Sequence, residues 1–95
     1  MVIGVLVLRY RLDAASLKEK RMVIRSLLDR VRARFNVAAA EVDDLDTAGF
    51  ATVALVAVAN AGDHADAQLQ TIAAAIQRWD VDGELLEVHT ELIPY

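Results

Sequence analysis

The sequence predicts an α+β sandwich, with two helices on one face of a four-stranded antiparallel sheet. Three observations carry that expectation. Apolar patterning switches between period 2 and period 3.6 in the order strand, helix, strand, strand, helix, strand. Two of the strand segments, the first and the third, are apolar on both parities. The 95 residues suffice for one core and one domain.

Val2 to Leu12 is β-branched and leucine-rich, broken only by Gly4, and at its end Arg9 and Arg11 alternate with Tyr10 and Leu12. Asp13, Ala14 and Ala15 then turn the chain into Ser16-Leu17-Lys18-Glu19. Ser16 there accepts from a free first-turn amide while Glu19 reaches back, the reciprocal capping box. A helix follows to about Phe35, because Leu17, Ile24, Leu27, Leu28, Val31 and Phe35 share one arc of the helical wheel.

Asn36 to Asp44, with Val37 to Val42 at its centre, reads as strand two, Asp46 to Gly49 supply turn residues, and Phe50 to Ala59 reads as strand three. These two form a hairpin. Asn60-Ala61-Gly62-Asp63 breaks the strand, and Leu69, Ile72, Ala73, Ile76 and Trp79 recur at helical spacing behind an Asp63 cap. This second helix is expected to stop near Asp80. After the Asp82-Gly83 turn, Leu86, Val88, Thr90 and Leu92 alternate with Glu87, His89 and Glu91, and Pro94 closes the last strand.

With right-handed crossovers this order is the ferredoxin-like βαββαβ arrangement, a single domain over residues 1–95 with strands one and three in the centre. The start of helix one, the hairpin turn and the loop into the last strand then lie at one end of the sheet.

Charge divides the chain in two. Residues 1–35 hold nine Lys/Arg against Asp13, Glu19 and Asp29, whereas residues 36–95 hold only Arg78 against eleven acids. Net charge is therefore +6 on one part and −10 on the other, −4 in all. Such a split suits either a basic surface for phosphate or a basic helix that docks on its own acidic half. Cysteine is absent, which excludes disulfides, thiolate metal sites and cysteine nucleophiles. The opening run Val2 to Leu8 is too short to span a bilayer and carries no charged leader, so a cytoplasmic protein is expected.

Ile3-Gly4-Val5 in the first strand, the run Ser16-Leu17-Lys18-Glu19-Lys20-Arg21, and then Phe35-Asn36-Val37 and Ala40-Glu41-Val42 resemble the YlxP-like family of small bacterial proteins of unknown function. The likeness extends over nearly the whole chain and implies the same ferredoxin-like fold. It also implies a bacterial cytoplasmic protein whose gene commonly lies near those for transcription elongation, translation initiation and ribosome maturation factors. Members of that family often have a tryptophan soon after the aspartate of the hairpin. Here Asp46 is followed by Thr47, Ala48, Gly49 and Phe50, so the contact made by that ring is either absent or taken over by Phe50.

Lys18, Arg21, Arg25 and Arg32 fall in one stripe bordering the apolar arc of helix one, the geometry a helix uses to follow a phosphate backbone. They are the candidate nucleic-acid-binding residues. The alternative for the same stripe is a solvated face paired with neighbouring acids. Lys18, Lys20 and Arg21 crowd an amino-terminal end that already carries positive partial charge, so a compensating partner is expected there. Asp43, Asp44, Asp46, Asp80, Asp82 and Glu84 gather at that end. Lys20 lies inside the apolar arc and is expected to form a structural ion pair with a carboxylate of the hairpin or of the Asp80 to Glu84 loop.

No catalytic residue, metal site or cofactor is expected. Asp43, Asp44 and Asp46 lack EF-hand spacing, and His64 and His89 are too far apart for a histidine metal site. Glu87, His89 and Glu91 are accounted for by cross-strand pairing with Arg9 and Arg11. The loop Asp13-Ala14-Ala15-Ser16 has no glycine and leads with an acid, unlike the phosphate cradle of acylphosphatases. The middle of strand three, Val53 to Val58, offers no aromatic ring for stacking RNA bases on the sheet.

Val5 and Val7 lie on the helix-free face of strand one, where a second copy of the chain is the simplest cover. The expectation is thus a non-enzymatic homodimer, an accessory factor in ribosome maturation or translation that contacts ribosomal RNA, or a ribosome-associated protein, through helix one. The alternatives are a homodimeric protein-interaction or small-ligand-sensing module without nucleic-acid binding and, third, a small enzyme of unrecognised type.

Overall fold

The computed structural model describes residues 1–95. The elements are β1 (Val2–Leu12), α1 (Leu17–Arg34), β2 (Ala38–Asp43), β3 (Phe50–Ala59), α2 (Gly62–Gln77) and β4 (Gly83–Pro94). The sheet order is β2-β3-β1-β4 and every neighbouring pair is antiparallel, the ferredoxin-like α+β fold. No helix is long and apolar enough to cross a membrane.

Parity decides which side of each strand is covered. Leu6, Leu8, Tyr10 and Leu12 of β1 and Ala51, Val53 and Leu55 of β3 face the helices and are buried. Ile24, Leu27, Leu28 and Val31 of α1 and Leu69, Ile72 and Ile76 of α2 close over them as one core. Full burial of each such side chain contributes roughly 1.5–3 kcal/mol against conformational entropy. Gly4 lets α2 come close, since a Cβ there would stand 3.3 Å from the Leu69 side chain.

Several boundaries differ from the sequence reading. α2 begins at Gly62 behind an Ala61 N-cap with no side-chain hydrogen bond, because the Asp63 carboxylate accepts from the adjacent His64 amide at 3.0 Å. It ends at Gln77 rather than near Asp80. β4 starts at Gly83, earlier than its alternation shows, because a register shift opposite Arg9 and Tyr10 interrupts the period. At α1 the Ser16 hydroxyl accepts from the Glu19 amide at 3.2 Å, but Glu19 reaches back to the Ala15 amide at 2.7 Å, one residue before the cap.

Candidate nucleic-acid interface

α1 is held by its buried arc, and that arc fixes what its flanks present. Asp13 N–H donates to Asp82 O and Leu12 N–H to Gly49 O, both at 2.8 Å, so the start of α1, the hairpin turn and the β4 entrance meet at one end. Lys20 enters that junction from the helix side and is 1% exposed, the one charged side chain in the core. Its Nζ donates to the carbonyls of Asp44 and, at 2.7 Å, Thr47. Glu41 Oε2 stands 2.8 Å away, close enough for strong attraction yet without hydrogen-bond alignment. The hairpin turn is shaped for this: Asp44 adopts φ 60°, a left-handed conformation that aspartate tolerates. The Asp44 carboxylate accepts from the Thr52 hydroxyl at 2.9 Å and stands 3.7 Å from Arg9 Nε.

The stripe has a different character. Lys18, Arg21 and Arg25 are exposed and none belongs to any of the five ion pairs of the molecule. Of the three cations at the start of α1, only Lys20 receives a carboxylate from the acidic half. Arg32 is also exposed but partly committed, donating from Nη2 to Ala39 O of β2 at 2.6 Å with Asp29 at 3.7 Å. This places the stripe on the flank of α1 towards β2.

The opposite flank was missed by sequence reasoning. Trp79, from the α2–β4 connection, lies against α1 with the Arg30 guanidinium 4.2 Å from its ring centroid. Phe35 stacks against the same indole at 6.2 Å between ring centroids. The available signal was the helical spacing of Trp79 with Ile72 and Ile76, which revealed burial but not which helix the ring would reach.

The pairing expected for Glu87, His89 and Glu91 is not formed. Arg9 turns to Asp44 and covers Phe50 at 5.2 Å. Arg11 binds Asp13 at 2.7 Å and Glu84 at 3.5 Å. Those two carboxylates, Asp13 foremost, raise the Arg11 pKa above its already high usual value. Arg11 is taken up by Asp13 and by Glu84, its direct cross-strand neighbour on β4, and Arg9 by Asp44 just beyond β2, which leaves neither cation for Glu87, His89 or Glu91. Nor do three His, Asp or Glu side chains gather where they could hold a metal ion.

On the helix-free face, Val5 is flanked by Val56 and Glu91, and Val7 by Ala54 and His89. Both valines are half-buried in the isolated chain. Ala38 and Ala40 extend this surface onto β2, and Val58, 66% exposed, extends it along β3. The face is apolar at one end and polar at the other, where Arg9, Thr52 and Glu87 stand side by side.

Two comparisons locate the chain among known proteins. It is 38% identical over 64 residues to the uncharacterized protein YlxP of Bacillus subtilis (strain 168), a match covering 67% of this chain and 70% of that protein. The model of a family described as "Protein of unknown function (DUF503)" matches residues 3–90, nearly the full sheet and both helices, and the chain belongs to that family.

Proposed function

We propose that the protein is a non-enzymatic accessory factor that contacts RNA through the exposed flank of α1, in ribosome maturation or translation. One observation carries the reading: Lys18, Arg21 and Arg25 stand in a row, solvent-exposed and unpaired, in a chain whose net charge is −4. Cations left free on one flank of an acidic protein concentrate a local positive field on the side where a phosphate backbone would lie. The preference for RNA over other polyanions rests on the family resemblance and its genetic neighbourhood.

Titration against a ribosomal RNA fragment tests this. Three contacts at roughly 0.7–0.9 each give a log-log salt slope of about −2 to −3, so affinity should fall roughly 20- to 40-fold between about 50 and 200 mM salt. Lys18→Ala, Arg21→Ala or Arg25→Ala should each reduce the slope by about one. Arg32→Ala should reduce it less, because that guanidinium already serves Ala39 O. Absence of binding at the lower salt by a folded protein would retire the reading.

A second copy of the chain is the proposed cover for the helix-free sheet face, supported by half-buried Val5 and Val7 beside exposed Val58. Val7→Lys should then convert dimers to monomers in light scattering. A wild-type monomer at tens of micromolar would sink the dimer, whereas a dimer without RNA binding would favour a protein-interaction or ligand-sensing module.

A further inference from the structure

α1 and the α2–β4 connection enclose an open groove of about 430 Å³ on the flank away from the cationic stripe. Its walls include Val23 and Leu27 of α1 together with Trp79, while the carboxylate residues Asp13, Glu19, Asp80 and Asp82 surround it. Met22, 66% exposed, lies at its margin. We propose that this groove docks a basic segment of a partner protein, one in which lysine or arginine alternates with apolar residues.

Charge complementarity selects that occupant. Four acidic residues line the groove against a single cation, Arg30, so a nucleic acid or phosphorylated ligand is repelled. Asp13 and Glu19 are partly committed, to Arg11 and to the Ala15 amide respectively. Asp80 and Asp82 form no side-chain hydrogen bond or ion pair and are exposed. They are free to meet an incoming cation.

Arg30 shows the contact such a ligand would make, with its guanidinium 4.2 Å from the centre of the Trp79 ring. An aromatic face beside carboxylates binds guanidinium or ammonium groups by combined ring and charge attraction. The apolar walls add a demand that a simple polyamine does not meet. Along α1 the lining runs from Glu19 to Arg30, about 16 Å at a helical rise of about 1.5 Å per residue, which seats roughly five residues of extended peptide.

The probe is a short synthetic peptide alternating lysine and leucine, with a lysine–serine peptide of equal charge as its comparison. Both are titrated into the full chain, and the fluorescence of Trp79, the only tryptophan, reports the groove directly. Saturable one-to-one binding of the lysine–leucine peptide is expected, with backbone amide shifts in nuclear magnetic resonance confined to α1 and residues 79–82. The lysine–serine peptide should bind at least tenfold more weakly, as should the lysine–leucine peptide to Asp80→Asn/Asp82→Asn. Ser26→Lys, at an exposed position in the lining, provides a second variant and should weaken binding to the same degree.

Equal affinity for the two peptides, or no loss in either folded variant, would reduce the contact to diffuse charge and overturn the proposal. So would displacement by stoichiometric spermine, which would mark a small-cation site. A Trp79 signal that changes with protein concentration alone would make a second copy the occupant. RNA binding by the stripe is measured separately, so either flank can fail without the other.

Discussion

The two flanks of α1 lie on opposite sides of one helix, roughly 10 Å across with its side chains, and carry opposite electrostatics. Towards β2 stand Lys18, Arg21 and Arg25, free of carboxylates; towards the α2–β4 connection lies a groove with four acidic residues around an aromatic ring. The acidic half of the chain could have neutralised the basic half by folding onto it. Instead its nearest groups serve Lys20, Arg9 and Arg11, while Asp80 and Asp82 face the groove. A net charge of −4 therefore conceals two local surfaces, each suited to a ligand that the other repels.

The largest break in this arrangement is at the seam between the flanks. Lys20 ties α1 to the hairpin, and so fixes the rotation of the helix that gives each flank its direction. Glu41→Gln should cost about 3–5 kcal/mol in urea denaturation, because a buried ammonium would keep its carbonyls but lose its counter-charge. Lys20→Met should cost less, since it removes the buried charge itself. A Glu41→Gln cost below about 1 kcal/mol would show that the Glu41 charge contributes little at the seam.

Alkaline pH, read as the difference between the wild type and a Tyr10 variant, tests the core beneath both flanks. Tyr10 is 1% exposed and its hydroxyl has no hydrogen-bond partner, and burial raises its pKa from 10.0 to about 12. The folded state thus holds the phenolic proton more tightly than the unfolded state. Its stabilising influence is complete below about pH 10 and fades by up to about 2.7 kcal/mol as pH rises towards 12, at roughly 1.36 kcal/mol per pKa unit. Tyr10→Phe should remove that part of the alkaline slope and, having no buried hydroxyl to leave unsatisfied, fold at least as stably near neutral pH. Stability profiles of the two proteins that coincide from pH 9 to 12 would count against it.

Gly83 sharpens the groove side. Its φ is +158°, and an added Cβ would fall 2.0 Å from the Arg11 carbonyl oxygen, at the point where the Asp80–Asp82 loop joins the sheet. Gly83→Ala should lower stability by about 1–3 kcal/mol and disturb the Trp79 amide signal more than that of Arg25. Uniform shifts across α1 would contradict a local anchor.

The smallest effects distinguish the stripe's own members. Lys18→Ala, Arg21→Ala and Arg25→Ala should each change stability by no more than about 0.5 kcal/mol, since no partner is lost. Arg32→Ala should cost about 1 kcal/mol through its bond to Ala39 O. A loss of that size at Arg21 or Arg25 would reveal a partner in solution and weaken the argument for free cations.

Period and composition by themselves determined the element order, the buried parity of β1 and β3, the arc of α1 and the anomaly of Lys20 within it. Those features follow from side-chain direction along one local element, which repeats every 2 or 3.6 residues whatever the rest of the chain does. The choice among chemically equivalent acids was not legible: a carboxylate of the hairpin or of the Asp80 to Glu84 loop was expected for Lys20, and the one it meets is Glu41 in the hairpin strand β2, none of the six acids gathered at its end. Register aligned Glu41 with Val53, and the left-handed turn at Asp44 brought two carbonyls to the same ammonium. The placement of Trp79 on α1 likewise depended on where α2 stops and how its connection returns to β4. Partner choice of this kind needs contacts between residues distant in the chain, and only the packed tertiary structure decided it.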